Sequence, residues 1–237
     1  LYWTADEASR IKINKGMIAE KRRALFDALN DDHSDIPCKH CNMVRSKLYK
    51  DVDFTRLGHV DLAPSTICNL RCSFCGYAMR DSFSASKYDA LAILEEFSPE
   101  DVEWDSAVDF NGGEPAILPD TDKFLEYFIS RRVRVFLYTN AVVFRQSIFD
   151  GLANGSIRWV CSSLDAGTPS TFLRMKKKDA FIQTLENLTR YADAGSRGGG
   201  RLAVKYIFCA DNCGDDDISG FAYAMLATRP QEVWLTF

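Results

Sequence analysis

From His59 onward the chain alternates two kinds of apolar pattern. Short runs with the composition of strands occur at His59–Ser65, Ala107–Asn111, Arg134–Thr139, Trp159–Asp165, Leu202–Phe208 and Glu232–Phe237. Between them lie amphipathic stretches of helical period. Lys123–Ser130 gathers Phe124, Leu125, Phe128 and Ile129 on one face, and Asp179–Ala194 gathers Phe181, Ile182, Leu185, Leu188 and Tyr191. Asp120 is placed to cap the first of these helices and Gly195 to stop the second. Ser196–Arg201, SRGGGR, reads as the most flexible connection. Strand–helix alternation with right-handed crossovers makes the strands parallel. Six units are too few for a closed eight-stranded barrel. A chain that stops on its sixth strand suits an open one and leaves room for a further C-terminal part. The predicted fold is α/β, a partial (β/α)6 TIM-like barrel.

Residues 1–58 break this rhythm. Ala5–Leu29 is largely helical in composition, with Ile11, Ile18, Leu25 and Leu29 apolar among charges, and Asp31–Pro37 reads as a turn-rich break. The expected organisation is an N-terminal, largely helical appendage over 1–58 and the barrel over 59–237.

With 237 residues, 46% of them apolar, the chain can bury a substantial core. A net charge of −4 gives no electrostatic reason to expect nucleic acid or a membrane as partner. The short basic runs Arg131–Arg134 and Lys176–Lys178 read as solvated faces. No run approaches the ~20 apolar residues of a membrane span, and no secretory signal is visible. Eight cysteines are many for this length, but five of them fall in CKHC and CNLRCSFC, at metal-site spacings. A reducing, cytoplasmic setting is expected.

The second string holds the decisive chemistry. Cys68, Cys72 and Cys75 form C-x3-C-x2-C just beyond the first strand, where α/β proteins build their sites. Four cysteines close a [4Fe–4S] cluster; three leave one iron open to a further ligand. The competing reading is a zinc site that borrows a fourth ligand elsewhere. Gly112-Gly113-Glu114-Pro115 follows the second strand, with glycines that permit close backbone approach and a carboxylate beside them. On the fourth strand, CSSLD, alternation puts Ser163 and Asp165 on one face and Ser162 on the other. Arg174 stands eleven residues after Ser163. Tyr138, Thr139 and Asn140 end the third strand; Lys205, Ile207 and Asn212 belong to the fifth and its loop. Cys161 reads as a small apolar packing residue, and His33, His40 and His59 have no neighbours that mark a catalytic role.

CNLRCSFCG, with Phe74 in its aromatic position, resembles the signature of the radical S-adenosylmethionine (SAM) superfamily, and the likeness extends over roughly residues 59–237. The resemblance implies that Cys68, Cys72 and Cys75 hold a [4Fe–4S] cluster. It implies that Gly112, Gly113, Glu114 and Pro115 hold the amino group of SAM. Ser163 and Asp165 would face the cofactor, with Ser163 on the ribose, Arg174 would pair with the carboxylate, and Tyr138, Thr139, Asn140, Lys205, Ile207 and Asn212 would line the cavity. The implied enzyme cleaves SAM reductively to a 5′-deoxyadenosyl radical that abstracts hydrogen from a substrate. A flavodoxin- or ferredoxin-like donor would supply the electron. A peptide or protein substrate is preferred, and a sugar or nucleoside derivative is the alternative. Cys38 and Cys41 resemble a piece of a SPASM- or twitch-type auxiliary cluster region, and with Cys209 and Cys213 they would make four thiolates. A zinc knuckle or a free thiol pair are the other readings. The rival from another class is a non-catalytic iron–sulfur or zinc protein, an electron carrier or redox sensor, which would need neither GGEP nor Ser163 nor Arg174.

Overall fold

The structure is a computed structural model that describes residues 11–31, 35–36, 52–85 and 88–236. Six strands form one sheet: β1 (Leu57–Leu62), β2 (Val102–Phe110), β3 (Arg134–Tyr138), β4 (Ile157–Ser163), β5 (Arg201–Ile207) and β6 (Glu232–Thr236). Their spatial order is their sequence order, and the registered pairs from β2 to β6 are parallel. The strands sit where the apolar runs predict them. The first five end one to three residues early, because Ser65, Asn111, Thr139, Asp165 and Phe208 already belong to the loops that build the site.

Alternation along the strands separates two faces. Val108, Phe110, Val135, Leu137, Val160, Leu202 and Val204 are completely buried. On the other face Asp109, Phe136 and Trp159 align in one row. Tyr138, Cys161, Ala203 and Glu232 form the next, and Ser163, Lys205 and Trp234 the third. An irregularity between Val135 and Phe136 pairs Val135 with Ile157 and Phe136 with Trp159. The extra residue, Arg158, is what lets Ile157 and Trp159 serve opposite faces.

The helix α1 (Lys15–Asn30) precedes the sheet, and between the strands lie α2 (Gly76–Met79), α3 (Ala90–Glu95), α4 (Thr121–Ser130), α5 (Gln146–Asn154), α6 (Pro169–Lys176), α7 (Phe181–Gly198) and α8 (Asp215–Thr228). In α4 the predicted face is buried through Phe124, Leu125 and Phe128. Asp120 stands at its start but makes no side-chain cap, because its carboxylate pairs with Lys123 at 2.8 Å. In α7 Phe181, Leu188 and Tyr191 are buried while Ile182 is exposed. The stop is Gly199, whose φ of +86° is the left-handed cap conformation glycine allows. Gly195 lies inside the helix, where a side chain would press on Gln231 Oε1 and the Gly200 carbonyl. SRGGGR is therefore the last helical turn and its cap.

The chain divides into two units, Leu1–Gly58 with Lys87–Glu103, and His59–Ser86 with Trp104–Phe237. In the first, Asn14 caps α1 by accepting from Met17 N, and Lys15 pairs with Asp101 at 2.8 Å. Arg22 donates to the carbonyls of Phe54 and Arg56 at 3.0 and 2.6 Å. No residue of α1 is fully buried. The site lies in the second unit. Among the described residues no helix is long and apolar enough to cross a membrane.

Candidate cluster and cofactor site

The segment after β1 passes through Ser65 and Ile67 into the cysteine loop and turns into α2 at Cys75. Backbone bonds fix it from two sides. Asn111 N donates to Leu62 O, Gly113 N to Ser65 O and Glu114 N to Ile67 O, at 2.8 to 2.9 Å. From the opposite side, Arg71 N donates to Lys176 O and Ser73 N to Met175 O, at 3.2 and 2.8 Å. The carbonyls ending α6 thus accept the N–H groups of the loop. Arg71 adds bonds to the carbonyls of Cys68 and Leu70 and stacks its guanidinium on Phe83.

The two glycines have separate reasons. Gly112 has φ +106°, a conformation that L residues rarely adopt. Gly113 lies so close to the loop stem that a side chain would collide with the Ile67 carbonyl. Glu114 is buried, and its carboxylate ties strand ends together. Oε1 accepts from Thr139 Oγ1 at 2.6 Å and Ala116 N at 2.9 Å; Oε2 accepts from Asn140 N at 2.6 Å. Burial pushes its pKa up, against the pull of these bonds. A carboxylate has about four acceptor sites, so three are already taken. Pro115 is the buried first residue of a 3-10 turn, Pro115–Ile117, behind the cavity wall.

β4 delivers Ser163 to the cavity and then bends at Asp165, whose φ is +53°. Asp165 is completely buried, one layer behind the cavity. Its Oδ1 accepts from Ile207 N at 2.8 Å and its Oδ2 from Lys176 Nζ at 2.6 Å. The carboxylate expected to face the cofactor is therefore spent on the protein itself. Lys176, expected on a solvated face, is 3% exposed. Its ammonium also donates to Ser163 O at 2.9 Å, lies 4.9 Å from the Phe74 ring centre and borders the cavity. Arg174 is exposed and turned away, donating to Thr171 Oγ1 and to Asp211 O at 2.6 Å. Its placement does not fit the expected carboxylate contact. Asn212, read as a cavity residue, is instead buried in the β5 loop, bonded to Asp165 O, Ile207 O and Cys209 N.

These elements enclose a cavity of about 220 Å³. Cys68, Cys72, Cys75, Phe74, Gly112, Gly113, Glu114 and Ser163 all line it, as do Asn111, Tyr138, Asn140, Cys161 and Lys176. Of the residues expected to hold the cluster and SAM, Pro115, Asp165 and Arg174 stand outside its wall. The three loop thiols are free. Burial pushes those of Cys68 and Cys72 up, opposed at Cys68 by the Leu70 N–H and at Cys72 by the Lys176 charge. Among the described residues no three His, Cys, Asp or Glu side chains converge on a single ion. A cubane asks for something else, one thiolate at each of separate irons. Asn69 Nδ2, beside Cys68, is a buried donor without an acceptor among the described residues, while Asn69 Oδ1 accepts from Asn140 at 2.7 Å. Three thiols and an orphaned N–H fit an anionic, sulfur-rich group.

Cys209 and Cys213 are exposed in the loop after β5, away from this wall. Cys38 and Cys41, like His33 and His40, lie outside the described residues. His59 is on the polar face of β1, with Nε2 2.8 Å from Asp109 Oδ2.

The family model for the radical SAM superfamily matches residues 62–207. The chain belongs to the radical SAM superfamily. Membership implies SAM-dependent radical chemistry, with a [4Fe–4S] cluster and SAM as the cofactors. No curated protein matches it in sequence. Among solved structures it is similar to Streptococcus suis SuiB bound to SAM, with TM-score 0.60 and 15% identity over 76% of this chain and 40% of that one. SuiB bound to its precursor peptide SuiA gives TM-score 0.60 and 15% identity over 91% and 50%. The methyltransferase TsrM of Kitasatospora setae, bound to tryptophan and a SAM analogue, gives 0.58 and 16% over 82% and 39%. At such identities the likeness is one of fold, the partial radical SAM barrel. The chain spans half or less of the length of these relatives.

Sequence reasoning missed Lys176, and it named Thr139 and Asn140 as positions lining the cavity without their bonds to Glu114. A signal for Lys176 was present, because it follows Phe172 by one helical turn and shares its buried face. The roles of Thr139 and Asn140 depend on β2 and β3 being neighbours, which no local pattern states.

Proposed function

We propose that this radical SAM enzyme holds its cluster on Cys68, Cys72 and Cys75, and that SAM occupies the cavity facing them. Bound there, SAM and the cluster supply a 5′-deoxyadenosyl radical that takes a hydrogen atom from the substrate. The observation that carries this reading is the common cavity: three loop cysteines, Gly112, Gly113 and Ser163, from three separate strand ends, line one wall. Lys176 takes the place expected of Arg174. Its ammonium is the cation at this wall, desolvated and already held by Asp165, suited to the carboxylate of SAM. Asn111 and Ser163 offer neutral hydrogen-bonding groups for the amino and ribose ends. The preferred substrate is a peptide or protein, a reading supported by a cavity open at the strand ends and by the fold shared with a peptide-bound relative. A flavodoxin- or ferredoxin-like protein is the proposed electron donor.

Anaerobic reconstitution tests the assignment. Wild type should take up about four irons per chain and release 5′-deoxyadenosine from SAM with dithionite. Cys72→Ala should lose both while its circular dichroism stays native. A wild type that holds a single zinc and never yields 5′-deoxyadenosine would end this reading.

A further inference from the structure

Cys161 lies outside the cysteine loop, and nothing described above uses its sulfur. It is buried on β4, yet borders the same cavity as the three loop cysteines. Among the described residues it makes no disulfide and no hydrogen bond through sulfur. Trp159 and Ala203 pack around it. Burial pushes its pKa up to about 11, so the thiol keeps its proton.

A protonated thiol has particular consequences in a cavity where carbon radicals form. With Cys68, Cys72 and Cys75 committed to a cluster, Cys161 presents the one S–H bond on the described wall. Such a bond is among the weakest bonds to hydrogen that protein side chains offer a carbon radical, matched by the phenol O–H of tyrosine. Tyr138 is the other such group on this wall, but its hydroxyl is turned to Asp109 Oδ1 at 3.5 Å; serine, threonine and asparagine hold their hydrogens too strongly to give up. Trp159 stands against the thiol, and the ring centres of Trp159 and Trp234 are 4.9 Å apart, with Trp234 half exposed. The thiol is thus linked to the surface by a pair of tilted, closely packed aromatic rings.

We propose that Cys161 is a catalytic residue, the hydrogen-atom donor that quenches a carbon-centred radical in this cavity. The inference rests on the radical reading of the site. In the step, the S–H bond breaks homolytically, a C–H bond forms on the radical carbon, and a thiyl radical remains on Cys161. One electron and one proton restore the thiol. The electron comes from the low-potential one-electron donor that the enzyme already requires, by way of Trp234 and Trp159, and the proton from solvent. The substrate class follows: molecules that regain a hydrogen after losing one, so that the transformation is redox-neutral, such as inversion at a C–H centre or a rearrangement closed by hydrogen return.

The test needs no identified substrate, because SAM alone generates a carbon radical there. Reconstituted enzyme is given SAM and dithionite in D2O, where only exchangeable hydrogens carry deuterium. Wild type should release 5′-deoxyadenosine bearing one deuterium, and Cys161→Ala and Cys161→Ser should bring the deuterated fraction down to background. The electron paramagnetic resonance signal of the reduced cluster, and its change on SAM binding, should be the same in all three. Equal deuterium in the variants, or none in wild type, overturns the assignment while leaving radical formation intact. An altered resonance signal in both variants makes Cys161 a packing residue and overturns it too. No 5′-deoxyadenosine from wild type refutes the underlying reading of the site.

Discussion

Lys176→Met isolates the most consequential contact in the site framework. The substitution keeps the length and apolar character of the stem and deletes the ammonium. What it leaves behind is Asp165, completely buried, with one oxygen still bonded to Ile207 N and the other facing nothing. Ser163 O loses its donor at the same time. Breaking a buried pair by removing one partner costs about 3–5 kcal/mol, because the survivor keeps its desolvation penalty. For a chain of this size each kcal/mol corresponds to roughly 2–4 °C, so the melting temperature should fall by roughly 6–20 °C. Urea unfolding of cluster-free protein measures the loss without involving the cofactors. The double variant Lys176→Met with Asp165→Asn removes the stranded charge and should recover part of the loss, with a coupling of about 0.5–3 kcal/mol. If Lys176→Met costs less than about 1 kcal/mol, the level of an exposed ion pair, the pair is not the lock described here.

Three further outcomes follow from the same framework. Thr139→Val deletes the 2.6 Å bond to the Glu114 carboxylate and should cost about 1–3 kcal/mol in urea unfolding, with no packing volume lost. Gly113→Ala forces the GGEP strand away from the Ile67 carbonyl and should lower iron uptake on reconstitution; full iron content at an unchanged melting temperature would contradict the close approach. Asp122 is held below the usual carboxylate range, chiefly by its bond from Arg145. Its contribution is therefore present above the unfolded value of 3.8 and lost as pH falls through the depressed folded value. Being largely exposed, the pair should be worth less than about 1 kcal/mol, so Asp122→Asn should differ from wild type by that little at neutral pH and not at all in strong acid.

The legible parts of this chain were those with local causes. Strand positions followed apolar runs, because a strand buried on one face must repeat every second residue. The cysteine loop and GGEP were legible because their spacing is itself the chemistry. Arg174 and Lys176 show the limit. Both are basic, two residues apart on α6, and spacing from Ser163 favoured the arginine. Helical rotation decides otherwise, since two residues on turn a side chain about halfway round the axis. Arg174 went to the Asp211 carbonyl and Lys176 to the buried Asp165. Gly195 and Gly199 were ambiguous in the same way: one is small for packing, the other left-handed for the cap, and composition alone cannot tell these apart.

The clamping of the cysteine loop bears on how the enzyme meets oxygen. Its backbone is anchored to Ser65 O and Ile67 O partners on one side and to the α6 carbonyls on the other, through bonds that involve no cysteine sulfur. An oxidant that strips the iron leaves those anchors in place. Damage is then confined to three side chains, and the polypeptide keeps the shape into which a new cluster is built. Repair after an oxidative episode becomes a matter of metal and sulfide supply, with no need for the chain to be refolded or replaced.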